Sequence, residues 1–230
     1  MKKRKFIEIM LIVFIIIFLF NICEYSVMAD SKVDSEENID ILVDLTEERL
    51  YLINKDTNVI VKKYSIASGK KETPSPIGTW KVIGMSKWSG RFGTRWIGLN
   101  VPWGVFGIHG TNRPGSIGSE ASHGCIRMLN KDVEELYKYV KLGMIVVIYG
   151  GPYGSFENGL VTLRPGDRGA DVLEVQRKLQ EKGYYPGKLD GIYGEEMKQY
   201  VIKFKKDNNL KMNHNIDVEF YKELGIILMD

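Results

Sequence analysis

Apolar and polar residues alternate along the chain from Ile39 to Gly69. Because successive side chains of a strand point to opposite faces, this period of two predicts β-strands with one buried face. The polar cluster NKDTN at 54–58 lies between two such runs and predicts the turn of a hairpin. Shorter apolar segments broken by glycine and proline follow, namely TWKVIGM, RWIGLNV, GVFGIHG and GMIVVIYG. The pattern therefore predicts a mainly β unit over 39–150.

Helical spacing of apolar residues appears once inside this unit, over 131–140, where Asn130 can cap the helix. After a glycine-rich linker at 151–160, helical spacing becomes the rule. The segments ADVLEVQRKLQEKG and EEMKQYVIKFKKDNN each place their apolar residues on one face, and DVEFYKELG is a short third segment. The sequence thus predicts a small all-α domain of three helices over 161–230.

The first 29 residues have the order of an export signal. Four positive charges in MKKRK precede an uninterrupted apolar run from Ile9 to Phe20, and SVMAD then offers small residues for cleavage. The apolar run is shorter than the roughly 17–25 residues of a spanning helix. A cleaved signal peptide is therefore favoured, and a membrane anchor is the alternative. In either case we expect an extracytoplasmic protein of the cell wall or cell surface, with a polar stalk at 30–38.

The charge balance argues against a polyanionic partner. Without the first 29 residues the chain keeps 28 Lys and Arg against 27 Asp and Glu, and no basic run remains. Nucleic-acid-binding domains are usually basic on at least one face. We therefore expect no nucleic-acid partner, and membrane contact only through the N-terminal segment.

Cys125 is the single cysteine of the predicted exported part, because Cys23 lies in the N-terminal segment. An internal disulfide is therefore not possible there. Two of the three histidines, His109 and His123, lie within 16 residues of Cys125. A thiol needs a base or a positive neighbour to become a thiolate near neutral pH. These residues predict a cysteine nucleophile, and local chemistry leaves open which histidine is its base.

The neighbours of these residues fit acyl chemistry. Gly110 follows His109 and Gly124 precedes Cys125, and a residue without Cβ lets a substrate carbonyl approach backbone N–H groups. Arg127 could bind a carboxylate.

Two other interpretations of Cys125 stay open at this point. Cys125 could be a small buried residue without chemistry. It could also bind zinc with His109 and His123, although the spacing matches no common zinc pattern and no fourth ligand is evident. We expect no metal and no cofactor.

The motif GIHGT followed by SHGCIRM resembles the signature of the L,D-transpeptidase catalytic domain (YkuD-type). That signature has a histidine–glycine pair, a short gap, then Ser-His-Gly-Cys, an aliphatic residue and Arg or Asn. The upstream segment TPSPIGTW is similar to the T-P-x-P-x-G segment of the same family. The resemblance covers 39–150 and favours the catalytic interpretation of Cys125 over the inert thiol.

The segment LRPGDRGADVLEVQRKLQEKGYYPGKLDGIYG is similar to the peptidoglycan-binding three-helix domain. Two departures follow it. Lys205 stands where the family often has Gln after a Phe, and NHN at 213–215 replaces the usual Asp-Gly. The resemblance implies peptidoglycan stem peptides and glycan as partners.

The first resemblance implies a β-sandwich-like catalytic domain with one or two helices and a cysteine nucleophile. It implies that Cys125 is the nucleophile, that His109 is the proton donor and acceptor, and that the Gly110 carbonyl orients the His109 ring. It also implies that His123 shapes the site and that the backbone of His123, Gly124 and Cys125 binds the oxyanion. Arg127 and Ser122 are implied to bind substrate.

The implied reaction is formation of 3→3 cross-links in peptidoglycan. The thiolate attacks the carbonyl of the diamino acid at position three of a stem peptide, expels the terminal D-alanine and forms a thioester, which an amine of a neighbouring stem resolves. An L,D-carboxypeptidase, with water as acceptor, and a non-catalytic wall-binding protein are the alternatives. The enzyme is expected to be acylated by carbapenem-type β-lactams.

Overall fold

A computed structural model describes residues 38–151, 153–156 and 159–228. The predicted signal peptide or anchor at 1–29 and nearly all of the stalk at 30–38 lie outside the described residues. No helix within the described ranges combines the length and the apolar character that crossing a membrane requires.

The first part of the described chain is built from strands. In chain order they are β1 (Ile39–Asp44), β2 (Arg49–Asn54), β3 (Ile60–Ala67), β4 (Gly78–Lys87), β5 (Arg95–Leu99), β6 (Phe106–Thr111), β7 (Ile126–Leu129) and β8 (Ile145–Tyr149). They pair in the order β1-β2-β3-β7-β6-β5-β4-β8, and β8 pairs back onto β1. The mainly β character predicted for this part is confirmed.

The eight strands form two sheets, and two of the strands, β3 and β4, belong to both. β3 pairs with β2 over Ile60–Ser65 and with β7 over Ile66–Ala67. β4 pairs with β8 over Gly78–Lys81 and with β5 from Val82 onward. The two sheets of the sandwich-like arrangement are therefore continuous along both edges and form a closed barrel. The barrel encloses an apolar core that includes Ile41, Leu50 and Ile108.

The helix predicted at 131–140 is shorter than expected. This helix, α1, spans Asn130–Leu136, and Val140 is buried in the turns beyond it. The prediction that Asn130 caps it is wrong, because no side chain caps this helix and Leu129 occupies the N-cap position. Instead, Asn130 Oδ1 accepts a hydrogen bond from the Thr94 N–H at 3.2 Å. Its amide is used to hold the loop between β4 and β5.

Three helices follow, as predicted: α2 (Ala170–Glu181), α3 (Glu195–Asp207) and α4 (Val218–Leu224). α4 begins where Asp217 Oδ1 accepts the Phe220 N–H at 3.0 Å, and it ends at Gly225, which has a left-handed φ of 85°. The apolar faces of the three helices meet in a second core, separate from that of the barrel. The predicted domain boundaries at 150 and 161 stay a prediction.

The helical part packs against the barrel core beside Trp103, which is buried. Leu173 of α2 and Ile192 pack against the barrel core, and a Cβ on Gly191 would clash with the Trp103 ring. A small cavity beside this contact is lined by residues 74–77 on one side and by 168–171 on the other. The start of α2 therefore lies beside residues 74–77, which belong to the segment TPSPIGTW.

The two departures from the peptidoglycan-binding pattern meet in space. Lys205 is only 1% exposed, and its Nζ donates to Asn213 Oδ1 at 2.7 Å and lies 3.8 Å from Asp217 Oδ2. Burial lowers the pKa of Lys205. A buried ammonium is costly unless it is paired and hydrogen-bonded, so Asn213 compensates for Lys205.

Asn213→Leu should destabilise the helical part by about 1–3 kcal/mol, because it leaves the buried ammonium without its close acceptor. Lys205→Gln should be milder, since an amide can still donate to Asn213 and carries no charge. Urea unfolding of both variants measures this. Equal losses of stability in the two variants would contradict the assigned pairing.

Candidate active site

A cavity of about 630 Å³ is lined by residues from β6, β7 and the loops beside them. Its lining contains most of the side chains singled out from the sequence. The lining residues are Arg91, Phe92, His109, Thr111, Asn112, Arg113, Ser122, His123, Cys125 and Arg127.

Parallel pairing of β6 with β7 brings these residues together. His109 on β6 is the register partner of Arg127 on β7. Parallel neighbours need a crossover connection, and the chain between them loops out and returns alongside β6. Cys125 is the last residue before β7, so this return carries it to the cavity that His109 lines.

The His109 ring is fixed on several sides. Its Nδ1 lies 2.5 Å from the Gly110 carbonyl oxygen. Because a carbonyl only accepts, Nδ1 carries the proton and donates it, and Nε2 keeps its lone pair. The edge of Phe92 approaches at 5.0 Å between centroids, and Trp96 stacks at 5.7 Å.

His109 and Cys125 are both neutral at rest. Burial lowers the pKa of His109, and the positive charge of Arg127 lowers it further. Burial raises the pKa of the Cys125 thiol, an effect that a backbone hydrogen bond from Gly107 and the charge of Arg127 oppose. The arrangement therefore suits general-base activation of a thiol during attack rather than a standing thiolate–imidazolium pair.

Ser122 fastens the segment that carries Cys125. Its hydroxyl donates to the Cys125 carbonyl at 2.6 Å and accepts the Gly124 N–H at 3.0 Å, and the side chain is 1% exposed. Both functions of the hydroxyl are thus used inside the loop. This geometry supports a positioning role for Ser122, and substrate binding by Ser122 stays a prediction.

The hydrogen bond of the Gly124 N–H bears on the oxyanion-binding backbone at 123–125, which stays a prediction. The Gly124 N–H points to Ser122 Oγ and is not free for a substrate oxygen. The N–H groups of His123 and Cys125 donate to no acceptor among the described residues. They are the backbone donors that the loop leaves available.

Only glycine fits at position 124. Gly124 has a φ of +105°, and a Cβ there would lie 2.6 Å from the Phe106 ring and 3.0 Å from the Pro74 carbonyl oxygen. L-residues rarely adopt this conformation. The segment TPSP therefore supports the back of the cysteine loop.

A polar network outside the motif holds the start of the loop. The Ser68 carbonyl accepts the N–H groups of Ala121 at 3.0 Å and Ser122 at 2.8 Å. The Glu48 carboxylate accepts the Ser68 N–H at 2.9 Å and also the Ser68 hydroxyl. Sequence analysis missed Glu48 and Ser68, because neither belongs to a motif and their distance along the chain from Ser122 is large.

Phe92 was also missed, and its position depends on a close contact between two glycines. Gly93 has a φ of +64°, and a Cβ there would lie 2.6 Å from Gly110 Cα. This contact lets the loop between β4 and β5 press Phe92 against His109.

His123 is exposed at the cavity, and its side chain makes no hydrogen bond within the described part of the chain. In the ranges that the structure describes, no cluster of three or more His, Cys, Asp or Glu side chains could hold a metal ion.

Two family models match this chain. Residues 38–148 match the model described as "L,D-transpeptidase catalytic domain", and residues 168–222 match "Putative peptidoglycan binding domain". The first range contains every residue that lines the cavity.

Curated relatives agree with the first match. "Putative L,D-transpeptidase YkuD" of Bacillus subtilis is 46% identical over 92 residues, which are 40% of this chain and 55% of that protein. "Putative L,D-transpeptidase YqjB" of the same species is 34% identical over 121 residues, covering 42% of this chain and 69% of that protein. The chain spans 55% of the YkuD relative from B. subtilis and 64% of that from B. licheniformis.

Among solved structures, the catalytic domain of the Enterococcus faecium L,D-transpeptidase superposes with a TM-score of 0.42 at 26% identity. The superposition covers 49% of this chain and 98% of that one, and at this score it adds nothing to the sequence relation. The family match over the barrel and the coverage of the YqjB relative together show that this chain belongs to the L,D-transpeptidase family and carries a C-terminal peptidoglycan-binding domain.

Proposed function

We propose that this protein is a cysteine-dependent L,D-transpeptidase that forms 3→3 cross-links between peptidoglycan stem peptides. The observation that carries the proposal is the shared cavity of Cys125 and His109, whose Nδ1 is held by the Gly110 carbonyl. Membership of the L,D-transpeptidase family supports the acyl-transfer class.

In the first step His109 acts as the general base. Its Nε2 takes the proton of Cys125 Sγ as the sulfur attacks the carbonyl carbon of the position-three diamino acid. A C–S bond forms, and the carbonyl electron pair moves to the oxygen. The N–H groups of Cys125 and His123 are the donors available to that oxyanion, which such donors stabilise.

In the second step the oxyanion collapses and the bond to D-alanine breaks. The protonated His109 returns its proton to the departing amine, and a thioester on Cys125 remains. An amine of a neighbouring stem then attacks the thioester carbonyl, again with His109 as base, and the thiol is regenerated. Water in place of the amine would make the enzyme an L,D-carboxypeptidase.

The helical domain would concentrate the enzyme on its polymeric substrate. Tethering raises the effective concentration of the stem peptides without new contacts at the active site. Peptidoglycan lies outside the cytoplasm, so this function agrees with the export signal predicted at 1–29 and with a location in the cell wall or at the cell surface.

Cys125→Ala should abolish the cross-linked product, because no other cysteine lies in the predicted exported part of the chain. Purified protein is incubated with tetrapeptide muropeptides, and 3→3 dimers are sought by mass spectrometry. A stoichiometric mass increase with a carbapenem in the wild type, absent in the variant, is the matched control. Dimers formed by the variant would refute the nucleophile, and tripeptide without dimers in the wild type would make the enzyme a carboxypeptidase.

The rate of acylation should rise with pH as His109 loses its proton, with a midpoint below the ordinary pKa of histidine because burial lowers the pKa of His109. Arg127→Gln should move that midpoint to higher pH, since it removes a charge that disfavours the imidazolium. The pH profile of kcat/KM for carbapenem acylation measures both. A midpoint that does not move in the variant would contradict the electrostatic role of Arg127.

Ser122→Ala should lower kcat for acylation by about tenfold to a hundredfold and destabilise the protein by about 1–3 kcal/mol, because it leaves the Gly124 N–H and the Cys125 carbonyl unpaired. Ser122→Thr keeps the hydroxyl and should restore most of the rate. Stopped-flow acylation and thermal unfolding give the two readouts. If Ser122→Ala and Ser122→Thr lower kcat equally, the hydrogen bonds of the Ser122 hydroxyl are not what positions Cys125.

A further inference from the structure

All the charged side chains that line the cavity are positive. Its ten lining residues include Arg91, Arg113 and Arg127, and none of the ten is acidic. The arginines come from three places in the chain: the loop after β4, the loop after β6, and β7 itself. Arg127 belongs to the recognised motif, whereas Arg91 and Arg113 lie outside it.

None of the three guanidinium groups is neutralised by the protein. Within the described residues they form no ion pair, and their side chains donate no hydrogen bond. Other arginines of the chain do have acidic partners. Arg177 contacts Glu174 at 2.5 Å and Glu181 at 2.6 Å, and Arg95 lies 4.0 Å from Glu134.

Arg91 and Arg113 are exposed at the cavity, so their guanidinium groups are accessible to an anion that enters it. Three positive charges around one cavity attract such an anion. A guanidinium matches a carboxylate best, since it can donate two parallel N–H bonds to it. The charge of Arg127 already acts on both His109 and Cys125. Anion binding in this cavity therefore occurs next to the reacting groups.

The two loop arginines flank His109 along the chain, one on the loop after β4 and one on the loop after β6. Arg91 directly precedes Phe92, whose ring edge contacts the His109 ring. Arg113 follows the end of β6, and its N–H donates to Thr111 Oγ1 at 3.0 Å, which fixes the start of that loop. Both arginines line the cavity that Cys125 also lines, so the carboxylates of a peptide bound there are within their reach.

We propose that Arg91 and Arg113 are specificity-determining residues that bind carboxylates of the donor peptide, and that the enzyme selects donors whose position-three diamino acid bears a free side-chain carboxylate. This inference rests on the proposed function, because it names the donor class for the same site. The terminal carboxylate of D-alanine is common to all donors. The side-chain carboxylate differs between stems and is the group that a second and third arginine can select.

The test compares two tetrapeptide donors that differ only in a carboxylate or a carboxamide on the side chain of residue three. The wild type should use the carboxylate donor with a kcat/KM about tenfold higher or more, the size expected for one charge-assisted hydrogen bond. Arg91→Gln and Arg113→Gln should each reduce this ratio. Arg164→Gln is the matched control, because Arg164 is exposed and lies outside the cavity, and it should leave the ratio unchanged.

A third donor with an amidated D-alanine separates the two sources of carboxylate. If Arg91→Gln and Arg113→Gln change the response only to this donor, the arginines bind the terminal group and the proposed selection is overturned. A wild type that uses the carboxylate and carboxamide donors equally well, or variants that keep the full ratio, also overturn it.

Binding to Cys125→Ala, measured by calorimetry, tests the inference without turnover. The carboxylate donor should bind about tenfold more tightly than the carboxamide donor, and the difference should shrink when Arg113→Gln is added. A wild type that forms no thioester with any donor refutes the proposed function, while the Kd ratio still decides whether the arginines select the carboxylate. Equal Kd values for both donors refute the selection alone.

Discussion

The parallel pairing of β6 with β7 is the constraint on which the site depends. It fixes His109 opposite Arg127 and thereby brings the residue before β7, Cys125, into the same cavity. Such a pair requires a connection that leaves the sheet and returns in the same direction. The loop that makes this return lines the cavity, so the position of its residues there follows from one topological requirement.

A loop of this kind needs internal partners to hold one conformation, and the described residues supply them as buried polar contacts. The Ser122 hydroxyl joins the Gly124 N–H to the Cys125 carbonyl, and Ser68 and Glu48 hold the backbone just before it. Removing one partner from such a network leaves the other unpaired and buried, which costs more than the bond itself contributes. Glycine at position 124 avoids the clash that a Cβ there would make with the Phe106 ring and the Pro74 carbonyl oxygen.

The charge of the site is carried by its arginines and not by His109 or Cys125. Burial lowers the pKa of His109 and raises the pKa of Cys125, so both groups are neutral at rest and no standing thiolate is exposed to oxidation. The positive charge instead sits on the arginines at the cavity. In the proposed mechanism, charge separation between sulfur and imidazole arises only when a carbonyl is attacked, within reach of backbone donors already in place. The helical domain keeps its own buried charge, Lys205, matched by Asn213.

The sequence by itself determined the elements and the chemistry that adjacent residues carry. Period-two and helical patterns predicted the three C-terminal helices and most of the strands, and GIHGT with SHGCIRM located His109 and Cys125, because local patterning and short motifs are written in neighbouring residues. They did not predict β7, the strand that follows Cys125. Where a role depended on a distant partner, prediction failed. Asn130 holds Thr94, 36 residues away in the chain, instead of capping α1. Only the tertiary structure decided this role and brought Glu48, Phe92, Arg91 and Arg113 to the site, since hydrogen bonds and charges act between residues that the fold alone makes neighbours.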